Sequence, residues 1–277
     1  MRIARYIADG TVAYGVIDGS TILPVLGADS LITASSGRRH GAPRPLGSVG
    51  LQCPVAPMAR NPFCVGWNYE DHFAEGQARR GPGAATEIPD RPTFFTKATS
   101  SLIGPGDNIK AHRALTTSLD WEVELVVVIG RSAANIREDN AMKHVLGFTI
   151  ANDVSARDVQ REHGGQWFRG KSLDRTSPIG PWVVTADELE PLEHRAITCR
   201  VNGETVQSAV LGDLHFGVAR VIAELSRGLT LMAGDVILTG TPSGVGFART
   251  PPRFLAPGDV VESEIEGIGV MRNQVAE

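Results

Sequence analysis

The chain has 277 residues, 42% of them hydrophobic, which suits one large domain or one domain with a small appendage. A formal net charge of −4 speaks against nucleic acid or an anionic membrane surface as partner, since both favour basic patches. The three cysteines, Cys53, Cys64 and Cys199, are odd in number and form no CxxC pair, which argues against a disulfide framework and for a reducing cytoplasm.

The opening residues Met1 to Arg5 lack the apolar stretch of a signal peptide. Residues 1–25 read as a small β-meander with turns at Asp9-Gly10 and Asp18-Gly19. Glycines and prolines crowd residues 35–62, which read as a connector and set a boundary near residue 60. A strand is expected at Phe63 to Gly66, and a long surface loop, rich in glycine and proline, over residues 76–92. Residues 121–129 form the strongest strand; its run Leu125 to Ile129 is too brief to span a bilayer. A short helix is expected from Asp139 or Asn140 to a stop at Gly147. Further strands are expected at 147–152, 181–185, 236–239 and 260–265. A hairpin is expected over Cys199 to Gln207, with Asn202-Gly203 at its tip. Val218, Val221, Ile222 and Leu225 recur at helical spacing and predict a helix over 216–226, stopped by Gly228. Many strands and few helices make this a β-rich α+β protein.

The segment Asp120 to Gly130 carries the most chemical information. If it is one strand, Asp120, Glu122 and Glu124 share a face, with neighbouring side chains roughly 7 Å apart. Carboxylates gathered in partial burial need protons or cations to offset their repulsion, and a hard divalent ion with oxygen ligands does this. A solvated edge strand would show the same alternation. Asp153 ends a second strand and precedes Arg157 and Gln160, which share a face if the segment is helical. A helix cap with a solvated polar face would read the same way.

Seven segments in order give these residues a context: Cys64 to His72, Ser101 to Pro105, Asp120 to Gly130, Asn152 to Gln160, Gly170 to Ser172, Pro178 to Trp182 and Leu238 to Gly246. On these the chain resembles the fumarylacetoacetate hydrolase family over residues 61–277, in particular its acylpyruvate hydrolase and hydroxyhepta-dienedioate isomerase members. The resemblance implies a mixed, barrel-like β-roll behind a small N-terminal β domain at 1–60. It implies Mg2+ or Mn2+ on Glu122, Glu124 and Asp153, with Asp120 outside the ligand set, and a homodimer. It points to His72, Glu75 and Lys171 as catalytic and to Arg157, Gln160 and Thr241 as substrate contacts, with residues 73–92 as a lid. A tryptophan at position 67 implies an aromatic wall where other members often carry Arg, Lys or Leu.

The expected chemistry is metal-dependent hydrolysis of a carbon–carbon bond in a small 1,3-dicarbonyl, acylpyruvate-type acid through a metal-stabilised enolate, with His72 and Glu75 activating water. Decarboxylation or isomerisation of 2-oxo or dienoic acids from aromatic ring cleavage uses the same enolate. A scaffold that holds a structural ion without turnover is the alternative of another class.

Overall fold

In the computed structural model, residues 1–77, 86–163 and 166–277 are described. The N-terminal turn signals close the expected meander of β1 (Arg2–Ala8), β2 (Thr11–Asp18) and β3 (Thr21–Pro24). Asp9 and Gly10 at its first turn have φ of 51° and 75°, the left-handed conformation a two-residue hairpin demands. Helix α1 (Leu31–Ser36) and short strands β4 (Arg44–Pro45) and β5 (Gly50–Gln52) follow. Next come β6 (Phe63–Gly66), helix α2 (Glu70–Gly76), β7 (Thr93–Thr96), β8 (Leu102–Ile103), β9 (Ile109–Lys110), β10 (Leu119–Asp120), β11 (Val123–Ile129) and β12 (Val145–Asn152). After them lie β13 (Ser155–Ala156), helices α3 (Arg157–Glu162) and α4 (Phe168–Lys171), β14 (Ser177–Thr185) and α5 (Ala186–Leu189). The chain ends with β15 (Ala196–Val201), β16 (Glu204–Val210), α6 (Val218–Leu225), β17 (Val236–Leu238), β18 (Val260–Ile265) and β19 (Gly269–Ala276).

One twelve-stranded sheet runs β4-β3-β2-β1-β14-β12-β11-β17-β6-β7, with β5 on β1 and β8 on β14. A second sheet runs β16-β15-β18-β19-β9, and β10 pairs with β13. The main path stays open from β4 to β7, so the fold is a β-rich α+β roll and not a closed barrel. The meander is hydrogen-bonded into it, with Ile3 opposite Val183. Strand β11 is buried along its whole length, which explains its unbroken apolar run. Leu125, Val127 and Ile129 face one core cluster with Phe148, Ile150, Ile197 and Ile265. Val126 and Val128 face another with Ile3, Ile179 and Val236.

Several expectations hold: Asn202 and Gly203 have φ of 54° and 80° between β15 and β16, and Gly228, with φ of 72°, follows α6. Two need correction. The strand expected over 121–129 breaks before Val123, because Trp121 is fully buried with its indole N–H donating to Gly244 O, and the Glu122 N–H is taken by the Asn152 side chain. The helix expected from Asp139 to Gly147 is a 3-10 turn at Glu138–His144, and Gly147 lies within β12. A Cβ on Gly147 would lie 2.2 Å from Val184 O, so close strand approach, not a helix stop, requires the glycine.

Candidate metal centre and active site

The break before β11 decides where the acids point. Glu122 sits in it, with its N–H donating to Asn152 Oδ1 at 2.9 Å and its carbonyl accepting from Asp153 N–H at 2.7 Å. Asn152 and Asp153, at the end of β12, thus fix Glu122 by register. Glu124 lies within β11, and its Oε2 accepts from Gly240 N–H at 2.7 Å. Gly240 has φ of 97°, and a Cβ there would lie 2.8 Å from Asn68 Cβ, so the chain after β17 can pass close to Glu124 only as glycine. One oxygen from each of Glu122, Glu124 and Asp153 lies within 4.8 Å of the others, and all three residues are buried.

Three cations surround them. Lys171 Nζ bridges Glu122 Oε2 at 2.6 Å and Asp153 Oδ2 at 2.7 Å. Arg157 Nε donates to Asp120 Oδ2 at 2.8 Å, and its Nη2 lies 2.6 Å from Glu122 Oε1. Lys97, fully buried at 0% exposure, sets Nζ 2.6 Å from Asp153 Oδ1. That last contact is ionic in distance but lacks hydrogen-bond geometry, so Asp153 Oδ1 keeps a lone pair for another partner. The Arg157 Nη2 contact is of the same kind.

The balance is four buried carboxylates, Asp120, Glu122, Glu124 and Asp153, against three cations, Lys97, Arg157 and Lys171. Burial resists ionisation of Glu122, but Lys171, Arg157 and His72 outweigh it and hold the carboxyl well below the usual range. Glu124 goes the other way: burial, then the charges of Asp153 and Glu122, push it well above the usual value. A carboxylate raised by its like-charged neighbours, an Asp153 oxygen with a lone pair to give and three oxygens in one small volume fit a hard divalent cation. Burial acts against the charge on Lys171, but Asp153 and Glu122 raise its pKa on balance. Lys171 therefore keeps its charge among these carboxylates.

A dyad stands close by. His72 Nδ1 lies 2.9 Å from Glu75 Oε1, both on α2, and Glu75 Oε2 accepts from Gly244 N–H at 2.8 Å. Gly244 has φ of 105°, and a Cβ there would lie 2.0 Å from Val206 O, so the loop after β17 can hold Glu75 only with glycine at this position. The other expected residues take these places. Gln160 Oε1 is 3.5 Å from Arg157 Nη1. Thr241 Oγ1 donates to Val123 O at 2.9 Å and accepts from Gln207 Nε2 at 2.7 Å, so its hydroxyl proton is already engaged. Asp120 accepts from Gly246 and Phe247 N–H and from Arg157, and so anchors Arg157 from outside the carboxylate triad. The lid expected at 73–92 falls partly on residues 78–85, outside the described residues.

Sequence reasoning missed Lys97, which follows β7 and carries no local sign of its partner 56 residues away. Asn68 lies in the segment Cys64 to His72 that carries the resemblance, but the sequence did not show its role: its side chain ties Thr239 O to Phe216 O and N–H and sets the loop behind Gly240.

Comparison with known proteins places this geometry. Residues 61–276 match the family described as fumarylacetoacetate (FAA) hydrolase C-terminal, and residues 1–54 match one described as Rv2993c-like, N-terminal. The chain is 44% identical over 230 residues to the oxaloacetate tautomerase YisK of Bacillus subtilis (strain 168), covering 83% of this chain and 74% of that protein. It is 43% identical over 240 residues to the mitochondrial oxaloacetate tautomerase FAHD2A of Homo sapiens, covering 82% and 74%. Among solved structures, a fumarylacetoacetate hydrolase from psychrophilic Exiguobacterium antarcticum superposes with a TM-score of 0.87 at 41% identity, covering 100% of this chain and 99% of that one. A 2-hydroxyhepta-2,4-diene-1,7-dioate isomerase from Mycobacterium marinum gives 0.82 at 32%, covering 100% and 98%. With its β-rich open fold, its buried carboxylate triad and a family match over most of its length, the chain belongs to the fumarylacetoacetate hydrolase family.

Proposed function

We propose that this protein is a metal-dependent enzyme that interconverts the keto and enol forms of a small 2-oxo acid. The convergence of Glu122, Glu124 and Asp153 within 4.8 Å, with Lys171 bridging two of them, carries this reading. Relatives named as oxaloacetate tautomerases and as a dienoate isomerase support it, because both reactions move a proton beside a carbonyl.

Mg2+ or Mn2+ held by the three carboxylates would supply Lewis-acid polarisation of the 2-oxo group. The chain does the rest. Lys171, held charged, donates a hydrogen bond to oxygen as negative charge develops. Arg157, clamped between Asp120 and Glu122, keeps Glu122 ionised and oriented. Glu75 fixes the His72 ring through Nδ1, which leaves Nε2 to take the proton from the carbon next to the 2-oxo group and deliver it to the enolate oxygen, and to run the same transfer backwards in ketonisation.

One observation favours a second reading. Glu75 is itself anchored by Gly244 N–H, and so rigid a dyad also suits water activation, hence hydrolysis of an acylpyruvate carbon–carbon bond. The two part on products. Protein stripped with chelator and reloaded with Mg2+ or Mn2+ is given oxaloacetate enol and an acylpyruvate, with absorbance and product identity followed together. Faster ketonisation than metal ion alone, with carbon skeletons intact, supports tautomerisation. Release of pyruvate moves the assignment to hydrolysis, and no metal-dependent change with either acid sinks both. We also propose a homodimer, which sedimentation checks.

A further inference from the structure

Two of the four tryptophans meet beside this site. The Trp167 ring lies 4.9 Å from Trp67 at 78° and 5.2 Å from Phe95 at 74°, and Trp67 lies 5.9 Å from Phe73 at 88°. The row of rings starts at the carboxylate triad, because Lys171 Nζ, which bridges Glu122 and Asp153, is 5.3 Å from the Phe95 centroid. It ends on α2, where Phe73 follows His72 in the chain.

Two local concessions seat these rings. Trp67 has φ of 55°, a left-handed conformation that a bulky residue rarely adopts and that gathers at functional sites. Gly66 leaves room for its partner, since a Cβ there would lie 2.2 Å from Trp167 Cζ3. Trp67, Trp167 and Phe95 are nevertheless only half-buried, so their surface is not fully used in the core. Rings present dispersion surface and edges to a flat group, but they supply no charge for a carboxylate.

We infer that Trp67 and Trp167 form the wall that receives the part of the substrate distal to its 2-oxo acid, and that this part is flat and apolar, an aryl or unsaturated acyl group, not a second carboxylate. The inference rests on the enolisable 2-oxo acid proposed above and narrows its class.

The probes are 4-phenyl-2,4-dioxobutanoate and oxaloacetate, titrated calorimetrically into Mg2+-loaded full-length protein and then assayed for enol turnover. The aryl acid is expected to bind about tenfold tighter than oxaloacetate, a discrimination typical of a shaped apolar pocket. Trp67→Leu and Trp167→Leu should each cut that ratio about tenfold, and Trp67→Phe and Trp167→Phe should retain most of it. Trp67→Arg should shift it toward oxaloacetate. Tighter binding of oxaloacetate by the wild type overturns the inference without any variant, and so does a ratio that either leucine variant leaves unchanged. If the aryl preference appears in binding but neither acid turns over, the enolisation reading fails while the wall stands. If both turn over and the ratio ignores the rings, only the wall fails.

Discussion

Acids and bases meet in two parts of this protein under opposite conditions. Beside β11, Asp120, Glu122, Glu124 and Asp153 face Lys97, Arg157 and Lys171 with all seven buried. On the second sheet, Arg200 of β15 reaches Glu262 and Glu264 of β18 at 3.3 and 2.6 Å, where side chains are about a quarter or more exposed. The residue types and distances are alike, and the solvent differs. In water such pairs contribute about 0–1 kcal/mol, because screening and side-chain entropy offset attraction. In the interior the same charges cannot be released to solvent, so Lys171 holds its proton while Glu122 and Glu124 move apart in acidity. Ion pairing alone therefore does not mark a site; burial with unequal charge does.

The largest effect should follow from touching the triad. Glu122→Gln is expected to cost about a thousandfold in enol turnover and to abolish Mg2+ binding, since it removes one of the three acids proposed to hold the ion and the partner of both Lys171 and Arg157. Calorimetry and the enol assay check this, and a variant that keeps both properties removes the triad from the mechanism. Lys97→Met comes next. It leaves Asp153 to share Lys171 with Glu122, one buried cation fewer against four carboxylates, and should destabilise the metal-free protein by about 3–5 kcal/mol in urea unfolding. A loss below about 1 kcal/mol would put Lys97 with the surface pairs and break the comparison.

A smaller effect concerns pH. Glu124 is raised above its ordinary value of 4.5 when no ion is bound, so metal-free stability from this group is present below that value and is lost as pH rises through the folded one. Mg2+ binds the ionised form, so the rise in Tm on adding Mg2+ should grow with pH over that window. A Tm rise that is flat or falls with pH contradicts this. The smallest effect belongs to the second sheet: Arg200→Ala should change stability by no more than about 1 kcal/mol, with metal affinity untouched.

Local chemistry was legible along the chain. Asn202-Gly203 could close a hairpin because both residues tolerate positive φ, and α6 followed from apolar spacing with a glycine stop. The spacing of Glu122 and Glu124, with Asp153 at a strand end, marked the acids that the fold brings together. Gly147 was misread because a helix stop and a close strand crossing both call for glycine, and only the neighbour, Val184 O, tells them apart. The continuous strand at 121–129 was misread because the partner of the Glu122 N–H, the Asn152 side chain, and that of the Trp121 indole, Gly244 O, lie elsewhere in the chain.

From its sequence alone this protein is a β-rich chain with hairpin turns, one strong strand with an unbroken apolar run and acids placed to meet a cation, because those features follow from side-chain period and backbone freedom within a few residues. Tertiary structure alone decided that Lys97 neutralises Asp153, that Gly240 and Gly244 hold Glu124 and Glu75, and that Trp167 rests on Gly66. Each of these joins segments tens of residues apart, where no local pattern records the partner and only burial makes the contact matter.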